Sequence, residues 1–142
     1  MIWSWSTEGL QAWQTRGAAA FRIDPAGGRA GGPCLRLEVA PDTEPSYPQF
    51  HLDVTEGLAA GDRFQVQVDV RSRDVDQDPG AYLAVEFLRG NERVGIAHSR
   101  TGQANGATAW ETLRAEAATV PKGATTMRVS LILHAHGAAW FD

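Results

Sequence analysis

The chain has 142 residues, 21% of them charged, and a formal net charge of −4. That length is enough for one domain with a real core, burying roughly 68–70% of its unfolded surface, while the acidic balance supplies no basic field to draw in phosphate backbones. Nucleic acid and anionic membranes are therefore excluded as expected partners, and no apolar run approaches the roughly 20 residues that span a bilayer.

Fifteen Gly and seven Pro punctuate apolar runs of period two, the pattern of many short strands joined by turns. The first segment, Ile2 to Gly17, places Trp3, Trp5 and Trp13 within eleven residues and reads as an anchoring edge. Ala18 to Asp24 alternates weakly. Pro25 to Pro33 is a Gly-rich loop without the lysine, the hydroxyl or the strand-to-helix setting of a phosphate cradle. Cys34 to Ala40 is a strand with Leu35, Leu37 and Val39 inward and Arg36 and Glu38 outward. Cys34 is the sole cysteine and reads as a small buried hydrophobe. In Tyr47 to Val54, Phe50, Leu52 and Val54 point to the core, which leaves Gln49, His51 and Asp53 on the other face with Tyr47 in line.

Arg63 to Arg71 alternates most strictly, Phe64, Val66, Val68 and Val70 against Gln65, Gln67, Asp69 and Arg71, so one face is buried and one is wet. Asp74 to Gly80 is an acidic solvated loop, since its carboxylates lack the Gly and distal Glu offsets of a calcium loop. Ala81 to Arg89 sets Leu83, Val85 and Phe87 inside and Tyr82, Ala84 and Glu86 outside. A Gly90-Asn91 turn then leads into the return strand Arg93 to Arg100 with His98. Trp110 to Val120 and Met127 to His136 are the last long strands. In the second, Met127, Val129, Leu131, Leu133 and Ala135 alternate with Arg128, Ser130, Ile132, His134 and His136. Roughly eight to ten strands imply an all-β, two-sheet antiparallel sandwich of jelly-roll type.

The outward strips carry the candidate chemistry. Tyr47, Gln49, His51 and Asp53, then Gln65, Gln67, Asp69 and Arg71, then Tyr82 and Glu86, joined by Arg128, Ser130, His134 and His136, offer amides, carboxylates, guanidiniums and aromatic rings. Sugars need these groups, because their hydroxyls require paired donors and acceptors and their C–H faces stack on rings. The plainer alternative is that any solvated sheet face is polar. His134 and His136 share a face and with His51 or His98 would make a metal set, but no H-E-x-x-H or Cys-rich spacing accompanies them, which favours hydrogen-bonding histidines. Nucleophilic catalysis has no foothold, since no G-x-S-x-G is present and Cys34 has no histidine at an informative spacing.

One arrangement carries a resemblance. A strand beginning at Trp110 is followed by Pro121-Lys122-Gly123-Ala124-Thr125, the Arg128-Val129 strand with Leu131 and Leu133, and Gly137 with Trp140-Phe141-Asp142. This run, with the earlier Gly9 to Trp13 and the G-x-x-x-L-R-L ending at Leu37, resembles the carbohydrate-binding modules of galactose-binding-like jelly-roll fold appended to bacterial cellulases and xylanases. The resemblance implies a non-catalytic domain that brings an enzyme to a polysaccharide, with Tyr47, Gln49, His51, Gln67, Tyr82 and Glu86 as the lining of its groove. It also implies a structural calcium held by Asp142 and Glu8 with backbone carbonyls around Gly28 to Gly32, although Ser6 stands where the family has its acidic residue. Since Met1-Ile2-Trp3 is no signal peptide, the chain either stays inside the cell or is a piece of a longer secreted or periplasmic protein that also holds a catalytic domain, and the ending on Asp142, where the family usually continues, favours the second expectation. Two alternatives stay open. One is an accessory domain that packs on a catalytic partner and binds no ligand. The other is a jelly-roll polysaccharide lyase, to which Gln49-Phe50-His51 is similar, with Tyr82, Tyr47 and Arg71 as its helpers.

Overall fold

The computed structural model describes residues 7–99, 109–117 and 119–142. A 3-10 turn, Thr7–Ala12, precedes β1 (Gln14–Arg16), β2 (Ala20–Asp24), β3 (Cys34–Val39), β4 (Gln49–Val54) and β5 (Phe64–Arg73). The chain continues through β6 (Gly80–Arg89), β7 (Glu92–His98), β8 (Glu111–Ala117), β9 (Thr126–His134) and β10 (Gly137–Phe141). These strands form two five-stranded sheets, ordered β1-β4-β9-β6-β7 and β2-β3-β10-β5-β8, and every pairing is antiparallel. The expected two-sheet sandwich is the one observed.

Period two explains the layers. Side chains alternate across a pleated strand, so the apolar half of each strand meets the apolar half of the facing sheet. Phe50, Leu83, Val85, Phe87, Met127, Val129, Leu131 and Leu133 of the first sheet pack with Leu35, Leu37, Val39, Val68, Val70, Leu113 and Phe141 of the second in one buried cluster. Two edge-on aromatic pairs join the sheets: Phe21 to Phe50, with centroids 5.2 Å apart, and Phe64 to Phe87, at 4.8 Å, each adding about 0.5–1.5 kcal/mol beyond the area it buries. Trp13 and Trp140 are buried and Trp110 is half-buried, as packing residues. Cys34 is fully buried, and its burial pushes the thiol up to about 11.

The link between the sheets that matters most for the site is the β9–β10 turn. Gly137 sits at φ 109°, and a Cβ there would lie 2.5 Å from the Arg73 carbonyl oxygen. Only glycine tolerates both the left-handed backbone and the close approach. The turn thus passes tightly against the end of β5, which brings His134 and His136 beside the loops that precede β4 and β6.

Candidate functional site

On the outer face of the first sheet the registers set side chains into rows. His51 of β4 is paired with Ser130 of β9, Ser130 with Ala84 of β6, and Ala84 with His98 of β7. One row away, Gln49 lies beside Ile132 and Ile132 beside Tyr82; on the other side, Asp53 lies beside Arg128 and Arg128 beside Glu86. β1 extends two of the rows, placing Gln14 opposite His51 and Arg16 opposite Gln49. The middle of this face is covered by its neighbours, with Ser130 0% exposed, Ala84 2% and Ile132 6%, while Tyr47 is 58% exposed.

Five of the six expected glycan residues, Tyr47, Gln49, His51, Tyr82 and Glu86, are on this one face. Gln67 is not, and its assignment is corrected here. β5 belongs to the second sheet, and because Val66 and Val68 of β5 turn inward, Gln67 points outward on the opposite side of the sandwich, paired with Arg114 of β8. Gln65, Asp69 and Arg71 go with it. Alternation along β5 defines a wet face without saying which sheet that face belongs to.

The electrostatics of the strip are particular. Arg128 holds Asp53 with two parallel hydrogen bonds, Nε to Oδ1 at 2.7 Å and a terminal nitrogen to Oδ2 at 2.9 Å. This pairing keeps the Asp53 carboxyl below its usual range and raises the guanidinium, as charge-assisted bidentate pairing does. Tyr82 is pushed up to about 12, first by burial and then by the nearness of Tyr47 and Glu86, so it is a neutral hydroxyl at any physiological pH. His51 is lowered by burial and then by Arg128. Its Nε2 lies 3.1 Å from the Gln14 Oε1. An amide oxygen only accepts, so Nε2 carries the proton and Nδ1 presents a lone pair. That Nδ1 and the neighbouring Ser130 hydroxyl are buried with no hydrogen-bond partner.

At the end of the strip the Tyr47 ring stacks on His134, with centroids 4.2 Å apart and planes 7° from parallel. The Tyr82 and His98 rings are tilted to each other at 6.1 Å. Sequence reading had grouped Arg128, Ser130 and His134 with the strips but missed Gln14 and Arg16, because β1 is three residues long and too short for a period to register.

Asp142, the expected calcium ligand, makes a different set of contacts. Its Oδ2 accepts the Arg29 backbone N–H at 2.7 Å, and the Arg29 guanidinium reaches Asp69 at 3.0 Å. Glu8 lies in the 3-10 turn with its side chain outside the described residues, and Trp3, Trp5 and Ser6 lie outside them altogether. Among the described residues no three His, Cys, Asp or Glu side chains come together as a metal site. Calcium needs about six to eight oxygens. Of the expected set, the described residues hold Asp142 beside the Gly28 to Gly32 backbone, with the Arg29 N–H on Asp142 and the Glu8 side chain outside them.

No protein-family model matches the chain, and no curated protein matches it. Solved structures do. The CBM22-1 and GH10 modules of Clostridium thermocellum endo-1,4-beta-D-xylanase 10B, complexed with xylohexaose, are similar with a TM-score of 0.69 at 16% identity over 92% of this chain, which spans 25% of that one. The CBM22-2 xylan-binding domain of Paenibacillus barcinonensis Xyn10C is similar with a TM-score of 0.62 at 12% identity, over 94% of this chain and 89% of that domain. A Stig cyclase from Fischerella, in complex with an indole compound, shares the fold as well, with a TM-score of 0.64 at 14% identity over 92% of this chain and 81% of that one. At these identities the likeness is one of fold, and one fold serves several chemistries.

Proposed function

We propose that this domain is a non-catalytic carbohydrate-binding module whose ligand, a neutral β-linked polysaccharide such as xylan, lies along the outer face of the first sheet. The observation that carries the reading is the pair of unpartnered buried polar groups, His51 Nδ1 and Ser130 Oγ, side by side in the register of β4 and β9, with Tyr82 one row away and Tyr47 at the end of the strip. A buried polar group without a partner costs about 1–3 kcal/mol. A sugar hydroxyl, donor and acceptor at once, satisfies both groups while its ring stacks on tyrosine. The fold neighbours support the choice of ligand, since one is complexed with xylohexaose and another is a xylan-binding domain.

Charge on the strip is balanced, with Asp53 and Glu86 on either side of Arg128, which already serves Asp53, and Arg16 opposite Gln49, so a neutral chain has no net field to overcome. The lyase alternative suffers because Arg71, its helper, stands on the other sheet from Gln49 and His51. The accessory-domain alternative calls for an apolar docking patch. The large apolar side chains exposed among the described residues are Ile23, Tyr47 and Ile96, on separate strands or loops. As a module, the domain belongs to a longer secreted or periplasmic chain with a catalytic partner. Affinity gel electrophoresis and calorimetry of the isolated domain with soluble xylan, β-glucan and polygalacturonate test the proposal. Retardation by a neutral glycan with a dissociation constant on the order of micromolar to millimolar is expected. Mobility equal to an inert control on every glycan sinks it in favour of the accessory domain, and unsaturated products from a polyuronate would favour the lyase.

A further inference from the structure

His136 sits in the β9–β10 turn with both ring nitrogens and its backbone N–H engaged by two other segments. Its Nδ1 is 2.5 Å from Asp76 Oδ2, its Nε2 is 2.7 Å from the Thr43 carbonyl oxygen, and its backbone N–H donates to Asp76 Oδ1 at 2.9 Å. A carboxylate and a carbonyl are both acceptors only. The two ring nitrogens therefore both donate, and only the imidazolium has two N–H groups. Two residues back, the His134 Nδ1–H donates to the Ser46 carbonyl, and the His134 ring carries Tyr47 stacked upon it. The segment between β3 and β4 lies outside any strand from residue 40 to 48. It is thus held at Thr43 by His136 and at Ser46 and Tyr47 by His134.

We propose that His136 and Asp76 are the positioning residues of the Tyr47 platform, a staple between the β3–β4 and β5–β6 segments that holds only while the His136 ring is doubly protonated, so that glycan affinity falls as pH rises. The inference rests on the glycan reading of the strip. The titratable groups on the surrounding elements are Asp76 itself with Asp74 and Asp78 on the β5–β6 segment, Asp42 and Glu44 on either side of Thr43, and His134 on β9. Of these, Asp76 pairs with the ring. The geometry agrees with the direction of the ring's titration, raised above 6.5 by the Asp76 hydrogen bond and then by the Thr43 carbonyl. A raised folded-state value means the staple is complete below the unfolded value and is lost as pH climbs through the folded one. Deprotonation leaves one ring nitrogen facing an acceptor with no proton to give. The loss of that bond shifts the held population of the segment by about two- to tenfold.

The test joins calorimetry with xylohexaose at pH 5.5 and pH 8 to amide-exchange protection of Thr43, Glu44, Ser46 and Tyr47 in the ligand-free protein. The wild type is expected to bind about two- to tenfold more weakly at pH 8 and to lose protection in the segment. His136→Gln is expected to bind weakly at both pH values with a flat profile. Equal wild-type affinity and protection at the two pH values overturns the proposal, as does a pH slope that persists in His136→Gln. If xylohexaose gives no heat at either pH while segment protection still depends on pH and on His136, the glycan reading has failed and the staple stands.

Discussion

Replacing Tyr47 with alanine separates binding from stability at a single position. The ring is 58% exposed, and with a tyrosine burying about 150–250 Å² when covered, about 100 Å² of it is open to a ligand. A pyranose face covers about half of that, worth about 1.3 kcal/mol at 25 cal/mol per Å², and stacking adds about 0.5–1 kcal/mol. Tyr47→Ala should therefore weaken xylo-oligosaccharide binding by about 2 kcal/mol, or about 20- to 45-fold. Stability should change much less, because the folded state loses only the His134 stack at the surface, about 0.5 kcal/mol. Calorimetry gives the first quantity and thermal unfolding the second. Gln67→Ala is the exposed control on the opposite sheet and should leave affinity unchanged. The reasoning is refuted if Tyr47→Ala binds within twofold of the wild type, or if Gln67→Ala loses as much.

Three further outcomes follow from the same geometry. Val68 is 2% exposed between the sheets, so Val68→Asp buries an unpaired charge and should abolish the cooperative unfolding transition seen by circular dichroism. Asp53 has a depressed folded-state value through Arg128, so its contribution is present above the unfolded carboxylate value of 3.8 and is lost as pH falls through the lower folded one. Since its side chain is 38% exposed, that contribution is at most about 1 kcal/mol, and Asp53→Asn should show a shallower loss of melting temperature between pH 5 and pH 2 (about those limits) than the wild type. The Arg29 contacts predict a melting curve unmoved by millimolar calcium or by EDTA, and a rise with calcium concentration, as native-state binding demands, would restore Asp142 as a ligand.

Much of the fold was legible in the chain because period two is a local property. Each alternating run states which of its side chains go inward, and Val68, Val85, Phe87, Val129 and Leu131 are buried as their positions in those runs require. Burial of Cys34 and of Trp13 and Trp140 follows from composition and context in the same way. Alternation also put Tyr47, Gln49, His51, Tyr82 and Glu86 on outward faces. What it does not contain is adjacency, because a strand's pattern is the same whichever neighbours its backbone pairs with. Strand order alone sent β4 and β6 to either side of β9 and β5 to the other sheet, which gathers five candidates and removes Gln67. The Arg128 clamp on Asp53 and the reach of His136 to Asp76 and Thr43 join segments far apart in the chain. Their geometry comes from the tight Gly137 turn and the register of β9, so only the folded sandwich decided which of the polar side chains became a site.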